Sequence, residues 1–125
     1  MIHLDTHAVV WLYAKELSRF TRAGLESLEA NELLISPMVA LELEYLHETG
    51  RIQAKSRVIC DSLEQAVGLR LCEGSFAPVI RLALDQTWTR DPFDRIIVAQ
   101  AKLANAPLLT KDITIREHYK KAFWD

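Results

Sequence analysis

Four acidic residues stand where acids are hard to explain as surface decoration. Asp5 ends a short apolar run, Ile2-His3-Leu4. Glu42 points through the apolar side of a helix that Pro37 opens, where Met38, Val39, Leu41, Tyr45 and Leu46 fan around it. Asp94 precedes Val98 and Ala101 at helical spacing, on the side a helix normally buries. Asp112 follows another apolar run, Pro107-Leu108-Leu109-Thr110. A carboxylate left unpaired on a buried face costs several kcal/mol or more, so each needs a partner. Brought together, the four would repel one another and would either hold protons or bind a cation. All-oxygen, acidic ligation suits Mg2+ or Mn2+ rather than Zn2+, whose sites favour His and Cys. Mg2+ keeps several waters and takes one or two carboxylates directly. Beside such a cation a water becomes a nucleophile and phosphoryl charge is offset, so the chemistry that fits is phosphodiester hydrolysis.

The same acids have purely structural readings. Asp91 and Asp94 are spaced as cap and third helical residue, Asp5 could cap the helix after it, and Asp112 could be a turn residue. Glu42 could pair with a buried Arg. Each acid alone is a weak signal; their shared placement carries the reading.

The elements that would position them alternate in type. Ile2 to Leu4 reads as a strand, followed by a helix from the cap Thr6 through Tyr13. Leu17 to Ala30 reads as one helix capped by Ser18, with Leu25 and Leu28 on one face. Leu33-Leu34-Ile35 is a buried strand, and Ser36-Pro37 caps the helix that runs to Thr49 and is stopped by Gly50. Ser56 to Val67 is helical, Leu69 to Cys72 is a strand, and Phe76 to Trp88 is a helix whose Ile80, Leu84 and Trp88 recur at four-residue spacing. Asp91-Pro92 opens a helix to about Asn105; Pro107 to Thr110 is a strand, Ile113 to Tyr119 a short helix, and Ala122 to Trp124 an edge strand. Strands alternating with helices argue an α/β fold with a parallel sheet covered on both faces. In such sheets the ligand crevice lies outside the carboxyl ends of the strands, where Asp5 and Asp112 fall.

With 125 residues the chain fits one domain, and a net charge of -2 gives no general attraction to nucleic acid. Cys60 and Cys72 lack metal-ligand spacing and are expected as reduced thiols. No signal peptide precedes the first strand, and no apolar run approaches the ~20 residues of a membrane span, so the expected location is the cytoplasm. Rossmann, P-loop, Gly-x-Ser-x-Gly and His-Glu-x-x-His patterns are all missing.

Over essentially its whole length the sequence resembles the PIN-domain ribonucleases of the VapC toxin type. The likeness is carried by Leu4-Asp5-Thr6-His7, Ile35-Ser36 leading to Leu41-Glu42, Gly50-Arg51, Arg90-Asp91-Pro92-Phe93-Asp94-Arg95 running into Ile97-Val98-Ala99-Gln100-Ala101, and Leu109-Thr110-Lys111-Asp112. The resemblance implies a single PIN domain over residues 1–125 with strand order 3-2-1-4-5 and helices on both faces. It also implies metal-dependent endoribonuclease activity with Mg2+ or Mn2+, a homodimer and a cognate antitoxin. Asp5 and Asp94 are then the direct metal ligands, with Glu42 and Asp112 completing an acidic quartet. Asp91 is an extra acid that acts directly or through water, and Thr6 supports Asp5 by a hydroxyl hydrogen bond.

An acidic pocket alone would repel RNA, so basic residues must flank it. Arg90, Arg95, Lys111 and Arg116 are the candidates, with Lys120 and Lys121 making the tail locally basic. His118 and Tyr119 are candidates for stacking on a single-stranded substrate. Trp11 and Tyr13 are expected in the core, with a partner groove as the other reading. Two rival functions are a non-catalytic acidic cleft that binds a partner's basic tail and a phosphatase-like hydrolase. The latter wants a second Asp two residues after the first, where His7 stands.

Overall fold

In the computed structural model, which describes residues 1–125, five short parallel strands run side by side in the order β3-β2-β1-β4-β5. They are β1 (Ile2–Leu4), β2 (Leu33–Ile35), β3 (Arg70–Leu71), β4 (Leu108–Leu109) and β5 (Ala122–Phe123). Side chains alternate between the two faces of a strand, yet Ile2, His3 and Leu4 are all buried, as are Leu33, Leu34 and Ile35. Both faces of the central sheet are therefore covered, as continuous apolar runs in parallel sheets require. The covering elements are α1 (Thr6–Tyr13), α2 (Arg22–Ala30), α3 (Pro37–Glu48), α4 (Ser56–Val67), α5 (Phe76–Leu84), α6 (Pro92–Leu103) and α7 (Ile113–His118).

The chain moves outward from β1 to β2 and β3, then crosses back to place β4 on the other side of β1. That reversal makes the carboxyl ends of β1 and β4 the switch point at which such sheets open a crevice. The register sets Leu4 beside Leu109, so the residues just beyond, Asp5 and Thr110, emerge together. One core supports both strands, built from residues such as Leu4, Ile35, Val39, Leu43, Ile59, Ile97, Val98 and Leu109. A smaller cluster of Val79, Ala83 and Ala99 locks α5 onto α6.

Several expected boundaries shift for physical reasons. Asp5, not Thr6, caps α1, accepting the Thr6 N–H at 2.8 Å. The single helix expected over Leu17 to Ala30 is broken into a 3-10 turn (Leu17–Arg19) and α2, capped by Thr21 rather than Ser18. Phe20 is extended between them and buried, with its ring stacked on Trp124 at 5.0 Å. Trp11 meets the same pair edge-on, so its indole belongs partly to the core. Helix α5 stops at Leu84, and its buried contacts are Val79 and Ala83; Leu84 itself is exposed. Trp88 lies beyond the helix and stacks on His118. On α3 the buried face is Val39, Leu43 and Leu46, with Leu41 and Tyr45 outside it, so Glu42 borders the apolar stripe instead of bisecting it. Gly50 follows α3 with a φ of 76°, the left-handed geometry for which glycine has no Cβ penalty. Both cysteines are free thiols. No helix is long and apolar enough to cross a membrane.

Candidate active site

At the switch point the structure brings Asp5, Glu42, Asp91, Asp94 and Asp112 into one cleft of about 880 Å³. Each arrives by a different local device. Asp5 leaves β1 and is buried, and both its oxygens are held: Oδ1 by the Thr6 N–H and Oδ2 by the Thr110 hydroxyl at 2.6 Å. Burial pushes its carboxyl above the usual range, and these two donors pull in the opposite direction. Thr110 is fully buried at the end of β4 and also accepts the Asp112 N–H at 3.1 Å. One hydroxyl thus ties together the acids of two strands. Asp112, on the exposed side, caps α7 through the Ile115 N–H at 3.1 Å.

Glu42 reaches the cleft half-buried from α3 and accepts a hydrogen bond from the Thr6 hydroxyl. Thr6 was expected to support Asp5 with that hydroxyl; it supports Asp5 through its backbone and Glu42 through its side chain. Burial raises the Glu42 carboxyl, and the charges of Asp5 and Asp91 raise it further. Asp91 caps α6 by accepting the Phe93 N–H at 2.8 Å and the Asp94 N–H at 3.4 Å. Its neighbour Asp94, in the first turn of α6, is half-buried and is pushed up to about 7. Burial is the main cause, followed by the charges of Asp91, Asp5, Asp112 and Glu42. The protein's ion pairs, Arg19–Glu16, Arg22–Glu26 and Arg70–Glu32, all lie elsewhere, so none of the five acids is ion-paired, although Lys111, Arg51 and His7 line the same cleft.

Among the expected basic residues, Lys111 lines the cleft, with Nζ 5.8 Å from the Trp11 ring centroid. Arg90 and Arg95 turn back onto their own loop, donating to the carbonyls of Thr87 and Thr89 at 2.9 Å. Arg116 donates to the Lys111 carbonyl at 3.1 Å and so braces that segment. Lys121 reaches the Asn105 carbonyl. Arg51 lines the cleft although its sequence position drew attention only as part of a motif. The expected stacking pair is not available: Tyr119 is buried with its hydroxyl on the Ala106 carbonyl, and the His118 ring is parallel to Trp88 at 5.0 Å. The aromatic side chains that do line the cleft are His7, Trp11, Tyr45 and Phe93.

The donor set is all carboxylate oxygen with none of the acids ion-paired, which fits a hard divalent cation and not zinc. No three side chains form a ready-made coordination shell. That suits an ion that keeps much of its water and takes one or two carboxylates directly, rather than one needing a closed cage.

Comparison with known proteins agrees with this architecture. A family model described as PIN domain matches residues 2–121. Ribonuclease VapC22 of Mycobacterium tuberculosis is 31% identical over 119 residues, covering 92% of this chain and 89% of that protein. The crystal structure of VapBC2 from Rickettsia felis bound to a DNA fragment from their promoter contains a chain with the same fold. That match has a TM-score of 0.68 at 20% identity, over 94% of this chain and 92% of the other. A family match of nearly full length, on a sheet whose switch point carries the acids, establishes that this chain belongs to the PIN-domain family.

Proposed function

We propose that the chain is a divalent-metal-dependent endoribonuclease and the toxin of a type II toxin–antitoxin pair, acting in the cytoplasm. The observation that carries the catalytic reading is the meeting of five carboxylates in one cleft with none of them in an ion pair. Asp5 and Asp94 would hold Mg2+ or Mn2+ directly, with Glu42, Asp112 and Asp91 joining directly or through water. When bound, such a cation supplies an activated water and offsets charge on the phosphoryl group. The remaining work belongs to the chain. Thr110 and the Thr6 N–H fix the Asp5 carboxylate, and the Thr6 hydroxyl fixes Glu42. With its carboxyl raised to about 7, Asp94 is partly protonated near neutral pH in the free protein, so cation binding is coupled to proton release. Lys111 and Arg51 line the same cleft and counter the repulsion between the acids and a phosphate backbone. Arg90, Arg95 and Arg116 are assigned to holding the loops around it.

Likeness to a ribonuclease supports RNA as the substrate, and likeness to a chain of the VapBC2 assembly supports an antitoxin partner; the homodimer is proposed on the family resemblance alone. The decisive experiment is cleavage of an RNA panel with Mg2+ or Mn2+ and with EDTA, using wild type and Asp94→Asn. Metal-dependent cleavage lost in the variant is expected; unchanged cleavage by Asp94→Asn would sink the site assignment. Full activity in EDTA would exclude the metal. A cleft that bound a basic protein tail with no cleavage under any condition would favour the interaction-module reading. For the toxin role, expression should arrest growth and Asp5→Ala should relieve the arrest.

A further inference from the structure

We infer that Tyr45 and Phe93 form the stacking surface for one unpaired nucleobase beside the carboxylates, an inference that rests on the ribonuclease reading above. Tyr45 stands on α3 three residues beyond Glu42, and Phe93 directly precedes Asp94 on α6. Both line the acidic cleft, with ring centroids 5.6 Å apart and planes 36° from parallel. Tyr45 retains 44% of its surface, while α3 already packs on the core through Val39, Leu43 and Leu46. The core therefore does not call for a ring at Tyr45. Arg51, just after α3, lines the same cleft and offers a cation for a neighbouring phosphate.

His7 also lines the cleft, but its ring is tilted against Trp11 at 5.8 Å, with no second ring beside it to extend a platform; the remaining aromatic candidates are committed elsewhere. Tyr119 is buried, and His118 is stacked on Trp88. Trp11 is packed edge-on by Phe20 and Trp124 and carries Arg19 and Lys111 over its ring. Every base has a π face, so a tyrosine–phenylalanine platform accepts any base but only one that is out of a duplex. The substrate class is accordingly a single strand or a loop, held with one splayed base on Tyr45 while its backbone crosses the acids.

An abasic scan tests this. An oligoribonucleotide that wild type cleaves is remade with a single abasic ribose at each position flanking the cut. In wild type one position should raise KM about tenfold, the size of losing one stacked base, with kcat little changed. Tyr45→Ala should raise KM about tenfold on the parent RNA and become insensitive to the abasic ribose at that position, whereas Tyr45→Phe should behave as wild type. Thermal melting monitors the fold. If the alanine variant unfolds, Tyr45→Leu keeps apolar bulk without the π face and takes its place. The same abasic profile in wild type and variant overturns the inference while leaving the ribonuclease reading standing, as does equal loss in Tyr45→Phe. A changed sedimentation coefficient with unchanged KM assigns Tyr45 to a protein contact and also overturns it. Failure of wild type to cleave any RNA removes both readings together.

Discussion

Replacing Asp94 with asparagine should make the metal-free protein more stable while removing its activity, and the gain should grow with pH. The Asp94 carboxyl is moved from 3.8 to about 7 by burial and by four neighbouring acids. Between those values the native state holds a proton that the unfolded chain has released, so stability falls as pH rises through the window. Below about 4 the contribution is fully favourable; above about 7 it is lost. The full displacement corresponds to ~4 kcal/mol, but the side chain opens onto solvent, and screening reduces this to ~1–2 kcal/mol. Asparagine resembles the neutral acid in shape and polarity and never ionises. In EDTA, wild type and Asp94→Asn should therefore melt alike near pH 4 and diverge toward pH 8. With 125 residues the unfolding entropy is roughly 0.26 kcal/mol/K, so the expected gap is about 4–8 °C. Differential scanning calorimetry across pH 4–8 checks it, with each pH compared within the pair so that other titrations cancel. Mg2+ should narrow the gap, since a ligand at ten times its Kd adds ~1.4 kcal/mol to wild type. An Asp94→Asn protein that melts at or below wild type at pH 8, or a gap that does not change with pH, would refute the argument.

Other perturbations probe separate supports. Thr110→Val removes the donor to Asp5 Oδ2 and the acceptor of the Asp112 N–H; it should destabilise by ~1–3 kcal/mol in urea melts and lower kcat at least tenfold, as roughly expected when a buried acid loses its orientation. Arg51→Ala combined with Lys111→Ala should raise KM about tenfold and flatten the dependence of KM on salt, whereas Arg90→Ala should leave the salt slope unchanged. Tyr119→Phe strips the hydroxyl from the Ala106 carbonyl and should cost ~1–2 kcal/mol in urea melts with no change in cleavage.

Much of this architecture was legible in the chain because its signals are local. An apolar run ending in Asp5, a Ser36-Pro37 start and an Asp91-Pro92 start need no long-range information. What escaped depends on register or on tertiary packing. Thr110 looks like one more strand residue until Leu4 is paired with Leu109, which sets its hydroxyl against Asp5. The break at Phe20 follows from an aromatic cluster whose other members are Trp11 and, more than a hundred residues away, Trp124. Arg90 and Arg95 flank acids in sequence yet turn onto the carbonyls of their own loop. Arg51 stands out in the sequence only as part of the Gly50-Arg51 pair, with nothing to mark it as a cleft residue, and it reaches the cleft because α3 ends beside it.

The structural and functional readings of the acids, rivals in the sequence, are compatible in the fold. Asp5, Asp91 and Asp112 cap α1, α6 and α7, so three helix amino ends meet the same cleft. A cap uses lone pairs of a carboxylate without consuming all of them: Asp91 accepts both its backbone donors at Oδ1, and Asp112 accepts Ile115 at Oδ1. The second oxygen of each is left for water or a cation. The partial positive charge at each helix start stabilises its acid by roughly 0.3–1 kcal/mol, which helps a cluster without ion pairs to persist in the metal-free protein. Asp94 has no capping role, and it is the acid pushed up to about 7. Capping thus lets three of the five acids stay in place before any ligand arrives, while Glu42 and Asp94, which cap nothing, are both raised by burial and by neighbouring charge that a bound cation would offset.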